Sequence, residues 1–76
     1  MNTEETKREK FIRLAEARTN KILSMLDTLS NCANTNVYEY TNNDVEKIFE
    51  AIEKKTLEVR HKFNANKPKI NNKFKL

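Results

Sequence analysis

The sequence predicts an all-α fold: an antiparallel two-helix hairpin with an 11-residue connection (31 to 41) and a flexible basic C-terminal tail, two copies of which dimerise into a four-helix bundle. Three observations carry that expectation. Glycine is absent and the only proline is Pro68, so nothing upstream of the tail breaks a helix. Two segments repeat their apolar residues at alternating spacings of three and four. The two repeats also match each other when one is read backwards.

The first helix is predicted from about Thr3 to Ser30. Within it Ile12, Ala15, Thr19, Ile22, Leu26 and Leu29 recur at spacings of 3, 4, 3, 4 and 3, which is a heptad seam. The second helix is predicted from about Asn42 to Asn64, with Val45, Phe49, Ile52, Thr56, Val59 and Phe63 at 4, 3, 4, 3 and 4. Its start is the best specified boundary in the chain. In "YTNNDVEKIFEAI" Thr41 is placed to cap the backbone N–H of Asp44 while the Asp44 carboxylate returns to the Thr41 N–H. Tyr40 and Val45 occupy the two positions of a hydrophobic staple.

Folding the chain back pairs Leu29 with Val45, Leu26 with Phe49, Ile22 with Ile52, Thr19 with Thr56, Ala15 with Val59, and Ile12 with Phe63. The numbers in each pair sum to 74 or 75, as an antiparallel register requires, and the two seam threonines fall in one layer. Small polar residues in a seam fix register. The Thr41 cap therefore sets where every later layer falls. Outside the seams, Glu4 with Arg8, Glu9 with Arg13, Glu50 with Lys54 and Glu58 with Lys62 are spaced as i, i+4 ion pairs, each contributing about 0.3 kcal/mol.

Seventy-six residues allow one domain and too little core for an enzyme-sized cleft. The hairpin occupies residues 1–63 and the tail 64–76. No apolar run reaches membrane-spanning length and no apolar signal segment follows the N-terminus, so the expectation is a cytoplasmic protein without membrane association. The single Cys32 has no internal disulfide partner, which fits a reducing compartment.

The net charge of +4 has one source. Of 15 Lys and Arg, the four at Lys67, Lys69, Lys73 and Lys75 lie in an acid-free tail, leaving 11 bases against 11 acids in residues 1–66. With Phe74 available to stack on an exposed base, the tail reads as an arm that tracks phosphates. Lys10, Arg13 and Lys21 share an outer face of the first helix and extend that candidate surface, although Glu9 and Glu16 dilute it.

A second candidate surface is apolar. Phe11, Leu14, Leu23 and Met25 flank the seam of the first helix, and Ile48 and Leu57 flank that of the second. Two helices cannot bury both seams and both flanks. Burying roughly 3,000 Å² of apolar area at ~25 cal/mol per Å² gives ~75 kcal/mol, which about equals the entropy cost of ordering ~50 residues. A lone hairpin is thus marginal, and a homodimer or a foreign partner laid on the flank is the expected remedy.

No catalytic constellation is predicted. Cys32 and His61 are the conventional nucleophile and base, but in the hairpin they lie ~28 Å apart, nineteen residues along the second helix at ~1.5 Å each. Glu46, Glu50 and Glu53 share a side yet lack a His partner and have Lys47 and Lys54 between them, so they read as a solvated face without a metal. The absence of glycine excludes phosphate-cradling loops of the Walker and dinucleotide kinds. No cofactor is implied. In the connection, Val37, Tyr38 and Tyr40 are expected to fold over the end of the hairpin.

At "FIRLAEARTNKIL", the following "LSN" and "YEYTNNDVEKIFEAIE", the chain resembles a family of small uncharacterised helical proteins of phages and conjugative elements in low-GC Gram-positive bacteria. The resemblance covers roughly residues 8 to 63. Family members carry a shorter connection than "SNCANTNVYEY", and the tail lies outside the match. It transfers no functional residue. It implies an accessory protein of a mobile element, acting in maintenance, transfer or interference with host defence. Two readings follow: a non-enzymatic protein that binds nucleic acid weakly through its tail, or an inhibitor or adaptor that takes a host or element-encoded protein on its apolar flank.

Overall fold

The computed structural model describes residues 4–66, and among them the protein is all-α: two helices and one 3-10 turn, without a strand. The chain divides into two compact units, Met1–Glu39 and Tyr40–Leu76.

The first unit is built on α1, Lys7–Ser30. It begins four residues later than the apolar periodicity suggests. The cause is a capping box at Thr6: its Oγ1 accepts from the Glu9 N–H at 3.0 Å, and Glu9 Oε1 accepts from the Thr6 N–H at 3.1 Å. Glu4 and Glu5 therefore lie outside the helix. The Glu5 carboxylate instead takes both the Nε and Nη2 of Arg13, at 2.7 and 2.8 Å. Glu9 serves the cap and Arg13 serves Glu5, so the i, i+4 spacing of Glu9 and Arg13 is overridden by two better-satisfied partners.

At the other end of α1 the chain tightens into a 3-10 turn, Asn31–Ala33. The Asn31 N–H donates to the Leu29 and Thr28 carbonyls, which closes the helix without a glycine. Asn34 then organises the exit. Its Oδ1 accepts from the Asn36 N–H at 2.9 Å, and its carbonyl accepts from Val37 and Tyr38 at 3.1 and 2.9 Å. Such local side-chain bonds are why asparagine recurs here. Val37, 67% exposed, and Tyr38 are left on the surface by this turn.

The second unit is built on α2, Asn42–Ala65, as the sequence indicates to within a residue. Both halves of the Thr41 box are formed: Asp44 N–H to Thr41 Oγ1 at 3.1 Å, and Thr41 N–H to Asp44 Oδ2 at 2.9 Å. Val45, the inner member of the staple, is half-buried. The far end is closed by Asn66, whose side-chain amide donates to the Lys62 carbonyl at 2.9 Å and whose backbone N–H donates to Phe63 at 3.2 Å.

No described residue is buried. Ala15, Leu29, Val45 and Ile52 of the two seams are half-covered, whereas Ile22 and Phe63 are each 61% exposed. An amphipathic helix draws its stability from covering its apolar stripe. In neither unit is the stripe covered. Thr56 satisfies its hydroxyl within its own helix, donating to the Ile52 carbonyl at 2.7 Å.

Candidate functional site

Each helix spans ~36 Å, from 24 residues at ~1.5 Å. On α1 the apolar flank stands open: Phe11 is 49% and Met25 64% exposed, Leu23 is exposed, and Leu14 is half-buried. The Arg8 guanidinium lies 5.8 Å from the centroid of the Phe11 ring, close enough for a cation–π contact.

The basic face of α1 is less available than its composition suggests. Lys10 and Lys21 are exposed and project to solvent. Arg13 is held in a bidentate pair by Glu5, which neutralises it. The Arg13 hydrogen bond holds the Glu5 carboxyl below its ordinary range, with desolvation opposing it and the guanidinium charge assisting. The same pairing raises Arg13 above its own. Neither Glu5 nor its role as a clip was legible from helical periodicity, because the contact spans eight residues across a helix start. The signal that would have found it is Thr6 followed three residues on by Glu9, a capping box in the sequence itself.

Lys67, Lys69, Lys73, Phe74 and Lys75, the tail members of the candidate nucleic-acid surface, lie outside the described residues. On α2, Glu58 pairs with Lys55 at 3.0 Å, three residues upstream, in place of Lys62 downstream. Both side chains are largely exposed, so the pair contributes little.

Cys32 is an exposed thiol in the 3-10 turn, and His61 is exposed on α2. Among the described residues, no group of three or more His, Cys, Asp or Glu side chains is placed to hold a metal ion. The recesses along α1, one lined by Ile12, Arg13, Glu16 and Asn20 and another by Ala15, Glu16 and Thr19, are open grooves on one helix surface. They enclose nothing. Among the described residues no helix is long and apolar enough to cross a membrane.

No protein-family model, no curated protein and no solved structure matches the chain.

Proposed function

We propose that the chain is a non-enzymatic accessory protein of a mobile genetic element, acting in the cytoplasm and binding nucleic acid weakly and without strong sequence preference through its basic tail. Its two seams close on each other as an antiparallel hairpin, and a second copy completes a four-helix assembly. The observation that carries the nucleic-acid reading is the charge distribution: four lysines and no acid after residue 66, against a body whose 11 bases and 11 acids cancel. Lys10 and Lys21, both exposed, extend the surface. The mobile-element context rests on the resemblance carried by "FIRLAEARTNKIL" and "YEYTNNDVEKIFEAIE".

A salt titration tests this. If all four tail lysines neutralise phosphates, log affinity for duplex DNA falls with log salt at a slope of up to about −3.6, from ~0.9 per phosphate. Between 50 and 200 mM salt, binding then weakens roughly 150-fold. Deleting residues 67–76 abolishes binding and leaves helix content unchanged. No detectable DNA or RNA binding by the full chain at low salt would end the reading.

A second reading is favoured by a different observation. The neutral body exposes Phe11, Leu23 and Met25 on one helix, as a protein-binding inhibitor or adaptor requires. Under it the truncation is tolerated, and a charge placed at Leu14 or Met25 destroys activity.

A further inference from the structure

Helix α1 carries a second stripe beside its seam. Lys7, Phe11, Leu14, Arg18, Lys21 and Met25 recur at spacings of 4, 3, 4, 3 and 4, displaced from the seam by about a quarter turn at ~100° per residue. Its apolar members are the open flank already described, and its three cations are exposed. Helix α2 has a counterpart. Glu46, Glu50, Glu53, Leu57, Arg60 and Asn64 follow the same rhythm, all exposed, with Leu57 at 55%.

Neither stripe suits a copy of itself. Parallel and in register, the first would set Lys7, Arg18 and Lys21 against the same three cations and the second three glutamates against three. Antiparallel, the first faces those cations with Met25, Leu14 and Phe11 and gains no ion pair, and the second gains only Glu50 with Arg60. They suit one another. Laid antiparallel so that facing numbers sum to 71, Arg18 meets Glu53, Lys21 meets Glu50, and Leu14 meets Leu57. In the same register Phe11 meets Arg60, and its ring already accepts the Arg8 guanidinium at 5.8 Å. Two opposite-charge pairs, one apolar pair and one cation–π pair thus fall in consecutive layers.

We infer that the basic-apolar stripe of α1 docks on the acidic stripe of α2 in a second copy of the chain. This goes beyond the four-helix assembly proposed above, which a second copy would close, and rests on the hairpin, whose seams take up the contact available within one chain. The two halves of the contact are different surfaces, so copies join head to tail. A joined pair leaves one stripe of each kind open. Association therefore has no built-in stop: the mean mass rises with concentration past the pair, and salt weakens it by screening Arg18–Glu53 and Lys21–Glu50.

Sedimentation velocity on the full chain at low salt tests this with Arg18→Glu and Glu53→Arg. Both positions are exposed, so circular dichroism keeps its helical signal. Because like charges facing each other cost several kcal/mol, each variant alone self-associates at least about tenfold more weakly than the parent. The equimolar mixture recovers association, since Arg18 of one variant faces Glu53 of the other and the two reversed charges also face each other. Arg18→Lys retains it. Three results would overturn the inference: Glu53→Arg associating like the parent, a mixture no stronger than its components, or a parent chain that stays single at every concentration. Distances between labels on α1 and α2 of one chain, diluted with unlabelled protein, read the hairpin independently, so its failure is distinguishable from failure of the contact between copies.

Discussion

Replacing Thr41 by alanine removes one half of the box that starts α2. The hydroxyl that accepts from the Asp44 N–H at 3.1 Å is lost, while the Asp44 carboxylate keeps its 2.9 Å bond from the backbone N–H of residue 41. The orphaned Asp44 N–H is exposed and finds water, so no buried-donor penalty adds to the loss. The cost is then that of an N-cap, about 1 kcal/mol. For a chain of this size 1 kcal/mol lowers the melting midpoint by about 4–8 °C. Thermal melting followed by circular dichroism at the helical minimum measures it, and Thr41→Ser restores the parent midpoint. Asp44→Ala removes the other half together with a favourable charge at the helix N-terminus, a further ~0.3–1 kcal/mol in its own right. The double variant costs less than the sum, because the two groups share one box. Thr6→Ala breaks the equivalent box on α1 and, if the seams close on each other, shifts the same single transition. A Thr41→Ala protein melting within about a degree of the parent would refute the reasoning that this cap holds the register.

Other perturbations read other links. Ile22→Asp, placing an unpaired carboxylate opposite Ile52, costs several kcal/mol if the seams pair, and helical circular dichroism at 25 °C collapses; full retention removes the register. Glu5 titrates below its ordinary value of 4.5 because Arg13 donates to its carboxylate. Its folded value is depressed, so the clip's contribution is complete above the ordinary glutamate range and is lost as pH falls through the depressed midpoint. A carboxyl-detected NMR titration shows this, with Arg13→Gln returning the Glu5 midpoint to the ordinary range; an unchanged midpoint would remove the clip. Glu9→Ala deletes half of the Thr6 box and costs about 1 kcal/mol by the same melt, whereas Glu16→Ala, exposed and outside any cap, leaves the midpoint unchanged.

The second helix was legible almost entirely because its start and its period are written in the same few residues, Tyr40 to Ile52. Apolar periodicity places the start of α1 four residues early, because a cap decides it. Thr6 and Glu9 satisfy two backbone donors at once, and that outweighs extending a helix through Glu4 and Glu5, which carry no apolar surface to cover. The aromatic content of the connection suggests packing, yet Asn34 spends its side chain and its carbonyl on a local turn that leaves Val37 and Tyr38 exposed. Propensity rules rank residue types and do not say which of several competing acceptors an N–H will choose. The candidate surfaces divide in the same way. Counting apolar residues against available cover marks Phe11, Leu23 and Met25 as a candidate surface, and they are exposed together with Ile22 and Phe63 of the seams; the neutralisation of Arg13 required the geometry of a partner eight positions away.

The pairing of the two seams is the claim on which the rest depends, and distances between spin labels test it most directly. In a Cys32→Ser background, labels at Thr28 and Lys47 mark the layers nearest the connection, and labels at Lys10 and Ala65 mark those farthest from it. Both pairs sum to 75 and both lie on outer faces. If the seams close along their full length, the interaxial separation stays at about 8–10 Å throughout and the two label pairs report the same distance. The far pair is 18 residues, or ~27 Å of helix, beyond the near one. A Lys10–Ala65 distance longer than the Thr28–Lys47 distance by tens of ångströms would show that the helices diverge, and would contradict the register.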